Sequence, residues 1–148
     1  MKYPTPKKFI PKNPKKYIGD VENIVARSSL EERYMRYFDN HPSIMKWSSE
    51  ELIIPYRSPI DRKIHRYFPD FIVQTKTKTG KINIVVIEIK PKSQTTAPTK
   101  GKKRQKTFLN EVITWETNRA KWQAAEEYCK KKGLVFQILT EHEIKLKW

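Results

Sequence analysis

The sequence has one cysteine, Cys129, and three histidines. A single thiol excludes an internal disulfide and fits a reducing compartment. On a helical stretch, Cys129 reads as a small apolar filler. One cysteine and three scattered histidines also leave too few ligands of the right kind for a structural zinc site. No apolar run is long enough to span a bilayer, and the basic N-terminus lacks the apolar core of a signal peptide. Acidic residues are scarce relative to basic ones. Asp plus Glu is 16 against 31 Lys plus Arg, a formal charge of +15 on 148 residues. So large an excess on a chain of single-domain length implies a polyanionic partner, nucleic acid before an anionic membrane.

What is present falls into segments. Residues 1–20 form a Pro- and Lys-rich basic arm. Its prolines forbid a regular helix, while Phe9, Ile10, Tyr17 and Ile18 are expected to dock part of it on a single domain over 21–148. Residues 28–39 read as an amphipathic helix with Leu30, Tyr34, Tyr37 and Phe38 on the buried side. Ser28/Glu31 and Ser29/Glu32 both fit a capping box at its start. Glu32, Arg36 and Asp39 make its wet side. Residues 47–56 predict a strand stopped by Pro55, and 63–75 and 81–90 two more, joined by a turn at 77–80. The basic loop 91–106 has no apolar face and is long enough to be functional. Helix follows over 108–132, with a break expected near Thr117 and Asn118, both good N-caps. Gly133 ends it, and a last strand covers 134–140. There are no internal repeats. The order of elements implies an α/β fold, a mixed sheet flanked by helices.

The chemistry centres on I-N-I-V-V-I-E-I-K, residues 82–90. It reads as a strand buried on both faces, yet Glu88 and Lys90 share the face of Ile82, Ile84 and Val86. Folding the two strands about the turn opposes Asp70 and Glu88 to within one residue. Directly opposed Cβ atoms lie about 4.5–5.5 Å apart, and two carboxylates that close require a cation. Oxygen ligands favour magnesium, with manganese as a substitute. Lys90 then supplies an ammonium to position water or neutralise charge on a phosphate. Against this stands a plain strand end, with Glu88 and Lys90 solvated and Asp70 a turn acid. Glu31 borders the buried face of its helix and is either a third carboxylate or a capping residue. Glu50 and Glu51 fit exposed turn acids better than site residues. His65 is expected on the face opposite Asp70. Lys92, Lys100, Lys102, Lys103 and Arg104, in the loop leaving Lys90, are placed to hold a DNA backbone with little sequence preference.

The P-D…E-I-K pattern with an upstream S-x-x-E helix resembles the PD-(D/E)XK nuclease superfamily. Taken in order, residues 9–20, 27–34, 47–56, 66–71, 87–92 and 118–141 resemble the head completion nucleases of contractile-tailed bacteriophages. A more distant similarity is to the endonuclease subunit that cuts transposon ends. The resemblance implies a restriction-endonuclease-like core and a metal held by Asp70, Glu88 and the Ile89 carbonyl. It also makes Lys90 the catalytic lysine and Glu31 the helical acid. It implies a Mg2+-dependent endo- or exodeoxyribonuclease acting on double-stranded DNA after packaging, with no small-molecule cofactor. Its partners would be phage portal, neck or head proteins, and its places the infected-cell cytoplasm and the head–neck region of the virion. Two other readings stay open: a basic DNA-binding plug that does not cut, and a transposition- or restriction-type endonuclease subunit.

Overall fold

The computed structural model describes residues 2–144. Strand β1 (Lys2–Lys8) pairs antiparallel with β2 (Val25–Ser28), and helix α1 (Ser29–Asn40) follows directly. The main sheet has four strands in the order β3-β6-β7-β8, built from β3 (Ile44–Ser49), β6 (Phe71–Lys76), β7 (Ile82–Ile89) and β8 (Val135–Leu139). β3, β6 and β7 run antiparallel and β8 lies parallel to β7. A separate hairpin joins β4 (Ile54–Arg57) to β5 (Ile64–Tyr67), and helix α2 (Gln105–Lys132) precedes β8. This is the mixed α/β arrangement the sequence implied, a sheet with a helix layer on each face.

Strand alternation sorts the two layers. Val73, Ile87 and Ile89 face α1 and form one core with Leu30, Tyr34, Met35, Phe38, Trp47 and Phe71. Phe136 and Ile138 face α2 and form a second core with Ile54, Tyr56, Tyr67, Trp122 and Ala125. The register Val86↔Phe136 and Glu88↔Ile138 puts Glu88 on the α2 side.

The arm is more built than an extended tail. Tyr17 bridges to Trp47, the Phe9 N–H donates to the Ile24 carbonyl at 2.8 Å, and both Phe9 and Tyr17 are buried. Ile10 and Ile18 are exposed instead of docked. Asp39, placed on the wet side of α1 by periodicity, is 1% exposed. Its carboxylate accepts from the Lys12 and Asn13 backbone N–H groups, so the arm covers the end of the helix.

Three strand expectations need correction. Residues 63–75 are two strands in two sheets, because Pro69 cannot donate to a ladder and restricts the residue before it. Residues 47–56 also divide. Glu50 takes a left-handed φ of 55° and turns the chain out of the sheet. Pro55 then sits inside β4, opposite Arg66, and stops nothing. Finally, β7 is not buried throughout: Ile82 and Ile84 are exposed, because β8 pairs only from Val85 onward.

Helix α2 is continuous, with no break at Thr117-Asn118. The helix-propensity penalty of these two residues is only tenths of a kcal/mol each. Asn118, Trp122, Ala125 and Cys129 form one buried stripe across the expected break, and Trp115 meets Trp122 edge-on at 5.9 Å. Gly133 ends the helix with φ 71°, as expected from its freedom to adopt the left-handed region.

Candidate active site

The β6–β7 register pairs Phe71 with Ile87, so Asp70 and Glu88 are the next pair outward. Asp70 follows Pro69 and immediately precedes β6, where it is half-buried at the end of the sheet. Its Oδ2 accepts from the Ile89 N–H at 2.8 Å. Glu88 is 7% exposed. Its Oε1 accepts from the Tyr67 hydroxyl at 2.7 Å, and its Oε2 lies 3.5 Å from the Lys90 ammonium. The charged end of β7 therefore stays within the protein.

Burial is the main cause that raises the pKa of both acids, Asp70 well above the usual carboxylate range. For Asp70, the Glu88 charge raises it further, and Glu31 adds to this, while the Ile89 N–H and Lys90 act against them. For Glu88, the Tyr67 hydrogen bond, Lys90 and Lys121 oppose burial. Burial and the Glu88 carboxylate also push the Tyr67 hydroxyl upward, so it remains a donor.

Glu31 approaches from the α1 side. Ser28 is the N-cap and accepts from the Glu31 N–H at 3.1 Å, while Glu31 Oε2 accepts from the Arg27 N–H at 2.8 Å. Thus Glu31 is a capping residue and also lines a small recess with Arg27, Glu50 and Asp70. Its pKa is raised, first by burial and then by Glu50 and Glu88, against the Arg27 contacts. Glu50 and Glu51 are both exposed, as expected of turn acids, and Glu50 also pairs with Arg27 at the rim of the site.

The remaining sequence candidates lie further out. Ile89 contributes its N–H to Asp70. Lys92 donates its backbone N–H to Glu141 at 2.8 Å. Lys103 pairs with Glu111 at 2.6 Å and shares a groove of about 740 Å3 with Lys90. Lys100, Lys102 and Arg104 are exposed on the loop. His65 is exposed and paired with Asp61 at 2.7 Å. Its face cannot be extrapolated to Asp70, because the two residues belong to different sheets or lie between them.

Sequence reasoning missed Tyr67 and Lys121. Tyr67 ends a strand that alternation had run straight into Asp70. Lys121 borders the buried Asn118–Trp122 stripe, and that adjacency was the available signal.

Among the described residues, no three His, Cys, Asp or Glu side chains form a group able to hold a metal by themselves. A buried and a half-buried carboxylate that resist a second negative charge still fit a divalent cation whose other ligands are water or phosphate oxygens, the usual habit of magnesium. Asp70 Oδ1 accepts no protein hydrogen bond among the described residues, which leaves it available. No helix among them is long and apolar enough to cross a membrane.

The chain is 40% identical over 138 residues to the head completion nuclease of Enterobacteria phage T4, covering 90% of this chain and 89% of that protein. No solved structure matches. The family model described as TnsA-like endonuclease N terminal matches residues 41–141, a span that includes Asp70, Glu88 and Lys90. On these matches the chain belongs to the TnsA-like endonuclease family.

Proposed function

We propose that this protein is a metal-dependent DNA nuclease that hydrolyses phosphodiester bonds during phage head completion. The observation that carries the reading is Glu88. A glutamate at 7% exposure, beside a second, half-buried acid and 3.5 Å from an ammonium, is costly to maintain as a mere strand end. A non-cutting plug would account for the charge of +15 but not for this arrangement. The similarity to a head completion nuclease over nine-tenths of the chain favours phage assembly over transposition.

Asp70 and Glu88 would hold Mg2+, or Mn2+ in its place, with the Ile89 carbonyl as a further ligand. A bound divalent cation supplies Lewis acidity at the phosphate oxygens. Lys90 orients the attacking water and offsets negative charge on the phosphate as the new P–O bond forms and the leaving oxygen departs. Tyr67 holds Glu88 in one orientation through its hydroxyl. Glu31 completes the acidic site from α1. Lys92, Lys100, Lys102, Lys103 and Arg104 hold the backbone of double-stranded DNA alongside. The partners would be portal, neck or head proteins, and the protein would act in the infected cell and remain at the head–neck region of the virion.

The test is incubation of the purified protein with linear and circular plasmid, with magnesium or with a chelator, beside Glu88→Ala. Cleavage that needs both magnesium and Glu88 is the expected result. Binding without cleavage, unchanged in the variant, would return the protein to the class of DNA-binding plugs.

A further inference from the structure

Lys121 projects from α2 over the small β4–β5 hairpin. Its ammonium lies 5.8 Å from the ring centroids of both Tyr56 and Tyr67. Tyr67 is the residue whose hydroxyl donates to Glu88. No carboxylate lies within 4.0 Å of Lys121 among the described residues. Tyr67 thus links the Lys121 ammonium to the centre, since its ring lies under that ammonium and its hydroxyl is bonded to Glu88.

We propose that Lys121 is a substrate-contacting residue, a second cation that binds the DNA phosphate presented to Lys90. The inference rests on the nuclease reading and adds to it a named phosphate contact. Three physical points support it. Asp70, Glu88 and Glu31 carry up to three negative charges, which Lys90 and a bound divalent cation together only neutralise, and Lys121 makes the centre positive toward a phosphodiester. Aromatic faces hold an ammonium through the ring quadrupole without using its N–H donors, so all three remain for phosphate oxygens. A lysine whose stem merely covers apolar surface turns its head to water. Lys121 instead keeps its half-buried head over two rings that are themselves at most 8% exposed.

The test compares Lys121→Met, which keeps the stem, with Lys121→Arg, which keeps the charge. DNA affinity is measured in chelator across a salt series, and single-turnover cleavage in magnesium at saturating DNA. Each phosphate contact contributes roughly 0.9 to the slope of log affinity against log salt. The expected result is a slope lower by about one for Lys121→Met, restored by Lys121→Arg. Cleavage by Lys121→Met should be at least about ten-fold slower, a loss of about 1.4 kcal/mol in transition-state stabilisation. An unchanged slope in Lys121→Met, or a slope that Arg does not restore, overturns the assignment. If thermal melting shows Lys121→Met to be unfolded, Lys121→Gln is read in its place by the same criterion. The affinity arm needs no cleavage, so a wild-type protein that binds but never cuts would sink the nuclease reading and still decide whether Lys121 meets a phosphate.

Discussion

The Tyr67 hydroxyl donates to Glu88 Oε1 at 2.7 Å, across the gap between the small hairpin and the main sheet. One hydrogen bond thus ties the end of β5 to the acid at the end of β7. A donor to a buried carboxylate contributes about 1.5–3 kcal/mol, and this bond lowers the pKa of Glu88 against burial. Tyr67→Phe keeps the ring and removes the donor. The variant should lose about 2 kcal/mol of stability in urea melts. Protons should also compete better with magnesium at Glu88. The magnesium midpoint for cleavage should therefore rise more at pH 6 than at pH 8, and an equal shift at both would argue against this role for the hydroxyl.

Asp70 carries a charge the fold does not favour. Its folded pKa is raised well above the usual carboxylate range, mainly by burial and next by Glu88. The folded state therefore binds its proton more tightly than the unfolded chain does. That contribution is fully present below the unfolded value of about 4, and it is lost as pH rises through the folded value. Asp70→Asn retains an oxygen to accept the Ile89 N–H and removes the charge. In chelator at pH 7 to 8 it should be more stable than the native protein by about 1 kcal/mol, roughly 3 °C in Tm. The difference should vanish as pH falls to about 4. Cleavage should be lost.

Magnesium gives an independent reading of the same pair. A ligand that binds only the folded state stabilises it by about 2.7 kcal/mol at a hundred times its Kd. Thermal melts of the native protein should shift upward with added magnesium, and melts of Asp70→Asn should not. Equal shifts in both would place the ion elsewhere.

Glu31 has two tasks that substitution can separate. Glu31→Ala removes the bond to the Arg27 N–H and should cost about 1 kcal/mol, as lost caps do. Glu31→Gln can still accept that bond and should melt within about 0.5 kcal/mol of the native protein. If the carboxylate belongs to the site, both variants should cleave at least ten-fold more slowly. A fully active Gln variant would leave Glu31 as a cap alone.

The loop cations are separable from the chemistry. Ala at Lys100, Lys102 and Arg104 together should lower the salt slope of DNA binding by roughly two to three, without sequence preference. Lys103→Ala should do less, since its ammonium is already engaged by Glu111.

The sequence alone determined the acid pair. A hairpin has one register once its turn is placed, so Asp70 and Glu88 could be opposed by arithmetic, and period-two alternation put Lys90 beside Glu88. The same logic found α1, Gly133 and the parallel last strand's position in the order. It failed where the chain leaves a lattice of regular positions. Pro69 and the left-handed Glu50 each end a ladder, and alternation cannot be counted across such a point. That is why β5 was merged with β6, and why Tyr67 went unnoticed although it touches Glu88. Periodicity also misread Asp39, because a residue is wet only if nothing folds over it, and the arm does. Lys121 lies 33 residues from Glu88 on another layer. Only the packing of α2 against the sheet could bring its charge to the acids, since burial and distance are properties of the assembled layers and not of any one segment.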